Sequence, residues 1–400
     1  MLLLGAGYEQ IAAIRIAQEL GYSVTAFDNQ DAAAGAACAD AFHRVDLKDD
    51  AALLAAARDV APDGVFCHAA ELAVPVAKVA EAQKLPGIGV GVALRCSDKR
   101  LRAEALSKHG IDTPRFRIVD AAEPDELWLK HFGALGSPVV CKPPDLAGAR
   151  GVEMLNAADD VVSYRARRGG VAADSFIMES WIEGTQYSTE TVFIDGEIAH
   201  TAIALRHYDT TRHLRPFLIE DGHSMSPNVP DDLRRSIDEV IRRCAAALEL
   251  RAGVLKGDLI VSAGRRIVVL EMAARTSGGR FADTVVPRAT GVNILYPLIQ
   301  MAMGERPDMS YLKPRWNVGV SQRFFFPTPG QTIAAAPELT LLSQRPGVVD
   351  LWFNRKLLAG QEVAKVRCHG DRAGYLICTG ATREAADALA LELAKMQFGT

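Results

Sequence analysis

Two acidic residues are predicted to face each other across a β-hairpin, and this placement constrains the chain more than any other feature. An apolar stretch over 254–272 is interrupted by a glycine-containing turn, which is typical of two antiparallel strands. If the turn is centred on Gly264 and Arg265, Asp258 lies opposite Glu271. Directly opposed Cβ atoms are about 5 Å apart, so like charges destabilise the pair unless a cation lies between them. Either a divalent ion such as Mg²⁺, which prefers carboxylate oxygen, resolves the conflict, or the pair is solvated on an exposed sheet face.

Arg275 extends this acidic pair. If the second strand continues, Arg275 shares the face of Glu271 because side chains alternate along a strand. Its planar guanidinium suits bidentate binding of carboxylate or phosphoryl oxygen, and the glycines in 276–280 let the backbone approach a ligand closely. The simpler alternative is an arginine that only neutralises Glu271, but such an arginine would not need the glycines.

The composition is that of a soluble globular protein with two or three domains. The 400 residues are 49% hydrophobic and 24% charged, with a net charge of -4. This balance gives no long-range attraction for nucleic acid or an anionic membrane, so neither is an expected partner. The first residues lack the features of a signal peptide, so we expect a cytoplasmic protein. The cysteines have no zinc-binding spacing and are expected to be reduced: Cys38, Cys67, Cys96, Cys141, Cys244, Cys368 and Cys378.

The chain divides into three predicted domains of an α/β protein. Residues 1–95 alternate strand and helix patterns, with one helix over 50–60, which predicts a parallel sheet with crossover helices in a Rossmann-like domain. Residues 96–305 contain a small α+β unit at about 115–185, followed by a long helix and the acidic hairpin. Residues 306–400 are rich in strand and turn signals and end in an alanine-rich helix, which predicts a β-rich C-terminal domain.

A lysine and a small-residue loop predict phosphate binding. Lys142 ends an apolar strand, and the following loop contains Gly148 and Gly151, whose backbone N–H groups can approach phosphate oxygen. Lys99 opens a basic helix. Taken singly, each lysine is equally typical of a solvated surface position.

A segment between two further strands is a candidate purine site. The first strand ends at Glu179, and Trp181 and Ile182 supply apolar surface before Gln186 begins the next strand. The alternative is an ordinary strand connection.

These motifs together resemble the ATP-grasp superfamily over nearly the whole chain. The resemblance implies an ATP-grasp fold preceded by a Rossmann-like domain and closed by a β-rich domain. It also implies ATP as a ligand. Lys99 and Lys142 would contact its phosphates, residues 147–152 would cover them, residues 179–182 would bind adenine, and Gln186 would lie near the ribose.

The resemblance further implies metal and acyl-phosphate contacts. Asp258 and Glu271 would hold Mg²⁺ or Mn²⁺, while Arg275, with Lys142, would stabilise the transferred group. The family often has asparagine where this chain has Ala273, so one metal ligand is missing. The sequence from Glu271 to Arg275 looks like that of amino-acid ligases in the superfamily.

The function implied is an ATP-dependent carboxylate-amine ligase. It would form an amide or peptide bond through an acyl phosphate and release ADP and phosphate, which requires no nucleophilic side chain. Its partners would be a small-molecule carboxylate and an amine, with a homodimer left open. The candidate substrate residues are Glu190, Arg206, His207 and Arg280.

Three alternatives stay open at the level of sequence. A related enzyme could make carboxyphosphate from bicarbonate, as biotin-carboxylase-like enzymes do. A nicotinamide-dependent oxidoreductase is suggested by Gly5, Gly7 and Asp28, but Gln10 replaces the third glycine of that fingerprint. A nucleotide-binding module without turnover would explain Ala273.

Overall fold

The computed structural model of the chain contains three β-sheets. It describes residues 1–225, 229–330, 332, 337–354, 357 and 360–398. Within these ranges the strands are β1 (Leu2–Leu4), β2 (Thr25–Asp28), β3 (Ala41–Arg44), β4 (Val65–Phe66), β5 (Phe116–Asp120), β6 (Val139–Lys142), β7 (Glu153–Leu155), β8 (Ser175–Ser180), β9 (Thr185–Ile194), β10 (Glu197–His207), β11 (Gly222–Met225), β12 (Gly253–Val261), β13 (Ile267–Ala273), β14 (Gly319–Phe325), β15 (Val348–Phe353) and β16 (Gly374–Gly380).

The helices pack on the faces of these sheets. They are α1 (Ile11–Glu19), α2 (Asp50–Val60), α3 (Ala73–Gln83), α4 (Val90–Ser97), α5 (Lys99–Lys108), α6 (Asp125–Leu135), α7 (Ala158–Arg167), α8 (Asp231–Leu248), α9 (Val286–Thr290), α10 (Leu295–Ala302), α11 (Pro337–Ser343) and α12 (Arg383–Phe398). None of the helices in the described ranges is both long and apolar enough to cross a membrane.

The N-terminal unit is a parallel sheet in the order β3-β2-β1-β4. Its central strand is fully buried because helices cover both faces, as expected of parallel sheets. Helix α2 begins where predicted, since the Asp49 carboxylate accepts the backbone N–H groups of Ala51 and Ala52 at 3.0 and 3.1 Å. The alternating pattern of residues 1–95 therefore predicts this architecture correctly, although neither β3 nor α3 was predicted.

A small antiparallel sheet, in the order β5-β8-β6-β7, forms the α+β unit predicted at about 115–185, which we call the lid unit. Helices α6 and α7 cover one face and bury Trp128 and Tyr164 against Phe176. Buried aromatic pairs of this kind stabilise a small core beyond the area they bury.

The largest sheet is antiparallel and has eight described strands in the order β13-β12-β9-β10-β11-β14-β16-β15. The long helix α8 buries Ile237, Ile241 and Leu248 against it. Strands β14 to β16, which lie beyond residue 305, extend this same sheet and do not form a separate one. The domain limits at 95 and 305, and the homodimer, stay predictions.

Candidate active site

A cleft of about 1010 Å³ lies between the lid sheet, the eight-stranded sheet and a C-terminal segment around His369. It brings together most of the predicted site residues: Lys99, Lys142, Gly148, Glu179, Trp181, Ile182, Gln186, Arg206, His207, Asp258, Glu271 and Arg275. Three predicted residues are not among those that line it, namely Gly151, Glu190 and Arg280.

The acidic hairpin has the predicted residue pairing, but its turn is centred at a different position. Asp258 pairs with Glu271, as predicted. Val261, however, pairs with Ile267, so the turn centres on Gly264 alone and the predicted centre was wrong. A β-bulge next to Asp258 places one extra residue in the second strand and restores the pairing.

Lys256 supplies the cation that the opposed carboxylates require. Its Nζ lies 2.5 Å from Asp258 Oδ2 and 3.2 Å from Glu271 Oε2. Arg206 Nη1 adds a second contact to Asp258 Oδ2 at 2.6 Å. The ammonium group of Lys256 holds the pKa of Glu271 well below its usual range, so this carboxylate is ionised at neutral pH. The sequence prediction missed Lys256, although its position two residues before Asp258 places both on one strand face.

The hairpin supplies only part of the set of oxygen ligands that a hard cation such as Mg²⁺ needs. Two carboxylates supply oxygen ligands, and Ser188 Oγ donates to Asp258 Oδ1 at 2.8 Å, which orients that group. Among the described residues no cluster of three or more His, Cys, Asp or Glu could hold a metal, and Ala273 offers no side-chain ligand. Mg²⁺ usually keeps several waters and binds through one or two carboxylates plus phosphates, so the donor set fits an ion that arrives with a nucleotide.

Two lysines point into the lid side of the cleft. Lys142 Nζ lies 2.6 Å from Glu179 Oε2, on the neighbouring strand. Lys99 Nζ contacts the carbonyl oxygen of Leu146 and lies 3.5 Å from that of Pro144. Burial lowers the pKa of Lys99 to about 8. Both ammonium groups are therefore held by acceptors that a phosphate oxygen could replace.

The loop over 147–152 closes one side of the cleft. Gly148 has φ +65° and lines the cleft, and its carbonyl oxygen accepts the backbone N–H of His369 at 2.9 Å. Gly151 packs instead against Pro143, where an added Cβ would lie 2.8 Å from Pro143 Cγ. The first glycine therefore exposes backbone to the cleft, and the second permits close packing.

The predicted purine segment follows β8. The backbone N–H of Trp181 donates to Pro138 O at 3.1 Å, which fixes the chain as it leaves the lid sheet. The indole Nε1 of Trp181 donates to Glu183 Oε1 at 2.5 Å. Ile182 and Gln186 also line the cleft, so an apolar surface and a polar side chain lie side by side there.

Arg275 does not continue the strand of Glu271. Strand β13 ends at Ala273, and Arg275 Nε donates to Glu71 Oε1 of the N-terminal unit at 2.6 Å. Burial lowers the pKa of Arg275, but Glu71 and Glu271 outweigh this effect and raise it overall. Glu71, like Lys256, was missed, because no sequence signal links it to a position more than two hundred residues away.

The N-terminal unit fixes the glycine segment that follows Arg275. His68 Nδ1 lies 2.8 Å from Thr276 Oγ1, and the Glu9 carboxylate accepts the backbone N–H groups of Gly279 and Arg280. Gly5 and Gly7, which suggested a dinucleotide site, flank a backbone N–H group that is bonded within the protein. Asp28 Oδ2 accepts the backbone N–H of Ala6 at 2.8 Å.

Two family models match the chain, and they match at the regions just described. An ATP-grasp domain covers residues 135–284, and an L-amino acid ligase C-terminal domain 2 covers residues 323–396. Residues 135–284 therefore form an ATP-grasp domain. The predicted family and the α/β fold class are therefore confirmed.

Relatives of this ATP-grasp protein include amino-acid ligases. It is 26% identical to the D-alanine–D-alanine ligase of Desulforudis audaxviator over 50% of this chain and 69% of that protein. It is 23% identical to the alanine–anticapsin ligase of Bacillus subtilis over 59% of this chain and 53% of that protein. The curated relatives are thus matched over 46% to 69% of their length.

A solved L-amino acid ligase from Bacillus licheniformis shares the fold of this ATP-grasp protein. The TM-score is 0.80 at 20% identity, over 98% of this chain and 96% of that one.

One predicted substrate residue lies behind the cleft. Glu190 is fully buried, and its Oε1 accepts the backbone N–H of Ser277 at 2.8 Å. Within the described part of the chain, its Oε2 has no hydrogen-bond partner. Burial raises the pKa of Glu190 to about 7. The Glu190 carboxyl group, next to the glycine segment over 276–280, can thus exist in either protonation state near neutral pH.

The other predicted substrate residues have partners within the protein. Besides Asp258, Arg206 contacts Glu220 Oε2 at 2.9 Å. His207 Nε2 lies 2.9 Å from Ser224 Oγ. Arg280 Nη1 lies 2.7 Å from Asp283 Oδ2, outside the group that lines the cleft. Their substrate roles stay predictions.

Proposed function

We propose that the chain is an ATP-dependent ligase that joins a carboxylate to an amine through an acyl phosphate and releases ADP and phosphate. One observation carries this proposal: the opposed carboxylates of Asp258 and Glu271 share a single cleft with Lys99, Lys142 and Arg275. Charges of both signs are needed there, because two anions must be brought together and the developing charge neutralised. The match to an L-amino acid ligase C-terminal domain supports an organic carboxylate as the acyl donor.

The lid side of the cleft would bind the nucleotide. ATP, when bound, would supply the phosphoryl group that turns a carboxylate into an acyl donor. Lys99 and Lys142 would hold its phosphates, and both lysines now contact oxygen acceptors within reach of the cleft. The loop over 147–152 would cover the phosphates, and the segment from Glu179 to Gln186 would hold the purine and ribose.

The hairpin would hold Mg²⁺ or Mn²⁺ between Asp258 and Glu271. The ammonium group of Lys256 lies between the two carboxylates, in the position that such an ion would take. With a metal held by these two carboxylates, Lys256 would be free to neutralise phosphoryl oxygen. The missing ligand at Ala273 favours a single metal with water or phosphate completing its shell.

Arg275 would neutralise the acyl phosphate. Its guanidinium is anchored through Nε by Glu71, and it lines the cleft beside Glu271. A fixed arginine requires little reorganisation when charge develops. Substrates would reach it past the glycine segment that Glu9 and His68 hold in place.

Trapping with hydroxylamine tests the proposed function. The protein is incubated with ATP, Mg²⁺, hydroxylamine and a mixture of L-amino acids, and hydroxamates and ADP are measured by mass spectrometry. An acyl phosphate is attacked by this nucleophile, so hydroxamate and ADP should form in equal amounts. Asp258→Asn and Glu271→Gln should abolish both products, whereas an exposed control, Glu126→Gln, should not.

Two results would reject this assignment. ATP use that requires bicarbonate and gives no hydroxamate would indicate a carboxylating enzyme. Release of AMP and pyrophosphate would exclude phosphoryl transfer to the carboxylate.

A further inference from the structure

The C-terminal segment around His369 contacts the loop over 147–152. The single 3₁₀ turn His369–Asp371 is capped by the Asp371 carboxylate, which accepts the backbone N–H of Cys368 at 3.0 Å. The backbone N–H of His369 donates to Gly148 O at 2.9 Å, and His369 lines the cleft. The backbone of His369 is therefore fixed beside the loop over 147–152, at the edge of the cleft.

His369 presents a free ring nitrogen. Its Nε2 is buried and has no hydrogen-bond partner among the residues that the structure describes. Burial holds the pKa of His369 well below its usual range, and the charges of Arg372, Arg206 and Lys256 add to this effect while Glu220 opposes it. The ring is therefore neutral and a weak base in the protein alone, and the negative charge of bound phosphates would raise its pKa and make it a stronger base.

Several other candidate bases in the cleft already contact partners within the protein. Lys142 contacts Glu179, and Lys256 bridges the acidic pair. His207 Nε2 faces Ser224. His223 also has a buried, free Nε2, although its Nδ1 lies 3.4 Å from Glu220. His223 is therefore the alternative that an experiment must separate from His369.

We propose that His369 is the general base of the amine-transfer step, an inference that rests on the proposed function. The lone pair of a neutral amine attacks the carbonyl carbon of the acyl phosphate. The nitrogen becomes positively charged, and one of its protons moves to His369 Nε2. The carbon–oxygen bond to phosphate then breaks, its electron pair leaves with the phosphate, and the amide remains. The departing phosphate or solvent removes the proton from the imidazolium and restores the base.

The experiment compares two nucleophiles in His369→Gln. Hydroxylamine is largely neutral near pH 7 and reactive enough to attack an acyl phosphate unaided, so it reports on activation alone. With ATP, Mg²⁺ and a mixture of L-amino acids, hydroxamate formation should stay within about twofold of the parent, while dipeptide formation falls by about 10²-fold or more. Because the loop contact is made by the backbone of His369, the variant keeps it. Added imidazole should restore part of the dipeptide formation in His369→Ala.

Several results would overturn the role of His369. Equal losses of hydroxamate and dipeptide in a variant with an unchanged melting temperature would assign it a structural role. Unchanged dipeptide formation would exclude it as a base. A selective loss in His223→Gln, with His369→Gln unaffected, would assign the role to His223. Absence of hydroxamate in the parent protein would instead reject the proposed function.

Discussion

At the scale of single residues, the site is a set of buried charges that satisfy one another. Lys256 bridges Asp258 and Glu271, so the like-charge conflict inferred from the hairpin is already resolved without a metal. Removing one member of such a group leaves the others buried and unpaired, which is expensive. Variants that keep shape while removing charge are therefore the informative ones.

Lys142→Ala should weaken binding of ATP more than binding of AMP. The change removes a cation aimed at phosphates, and a charge-assisted hydrogen bond contributes about 1.5–3 kcal/mol. Calorimetric titration of both nucleotides measures the difference, and Lys130→Ala, an exposed lysine of the same lid unit, is the control. Equal losses for ATP and AMP would identify Lys142 as a structural lysine that only pairs with Glu179.

Glu190→Gln should stabilise the protein in a pH-dependent way. The pKa of Glu190 is about 7 in the folded chain, above the value near 4.5 of the unfolded chain. The free energy of unfolding therefore falls as pH rises from 4.5 to 7. In this range Glu190 keeps its proton in the folded protein, whereas the unfolded chain has already released it. Relative to the parent, the glutamine variant should gain up to about 3 kcal/mol between pH 4.5 and pH 8. Denaturant unfolding at several pH values measures this, and a constant difference across pH would contradict it.

At the scale of elements, the loop over 147–152 is the part of the cleft that we expect to change conformation when nucleotide binds. Its internal backbone hydrogen bonds are long, at 3.4 Å from Arg150 N to Ala147 O and 3.2 Å from Val152 N to Ala149 O. Such weakly bonded backbone opens readily, so its conformation depends on what it covers.

Hydrogen exchange in this loop should slow when a non-hydrolysable ATP analogue and Mg²⁺ are added. Phosphate contacts would offset the entropy of ordering the glycine-rich backbone. Mass spectrometry of peptides over 147–152 measures the protection, and AMP serves as the matched ligand without the outer phosphates. Protection confined to residues 5–8 would favour the dinucleotide alternative instead.

At the scale of the whole molecule, buried ion pairs join the units that surround the cleft. Arg323 of β14 contacts Asp221 Oδ1 at 2.9 Å and Asp387 Oδ1 of α12 at 3.2 Å. Asp221 also accepts the backbone N–H of Thr210 at 2.7 Å. The C-terminal helix is thereby tied to the centre of the eight-stranded sheet.

Asp221→Ala should destabilise the protein by about 3–5 kcal/mol, because it leaves the buried Arg323 without a main partner. Asp31→Ala, which removes an exposed partner of Arg44 at 3.2 Å, should cost less than about 1 kcal/mol. Urea unfolding followed by tryptophan fluorescence compares the two. Similar small effects in both variants would show that the Asp221 pair does not hold the units together.

The sequence by itself determined the features that depend on local periodicity. The turn between β12 and β13 predicted the opposition of Asp258 and Glu271, although a β-bulge compensates for the misplaced turn centre. The apolar run that precedes Lys142 predicted the strand that ends there. Helix α2 begins at its predicted residue because the cap at Asp49 is a local signal.

Only the tertiary structure decided which distant residues complete the site. Glu71 reaches Arg275, and His369 reaches Gly148, through contacts between segments far apart in sequence. The same is true of strands β14 to β16, which join the central sheet although their sequence suggested a separate domain. Side-chain periodicity reports on the immediate neighbours of a residue, whereas these contacts depend on how whole sheets pack, and that packing leaves no regular spacing in the sequence.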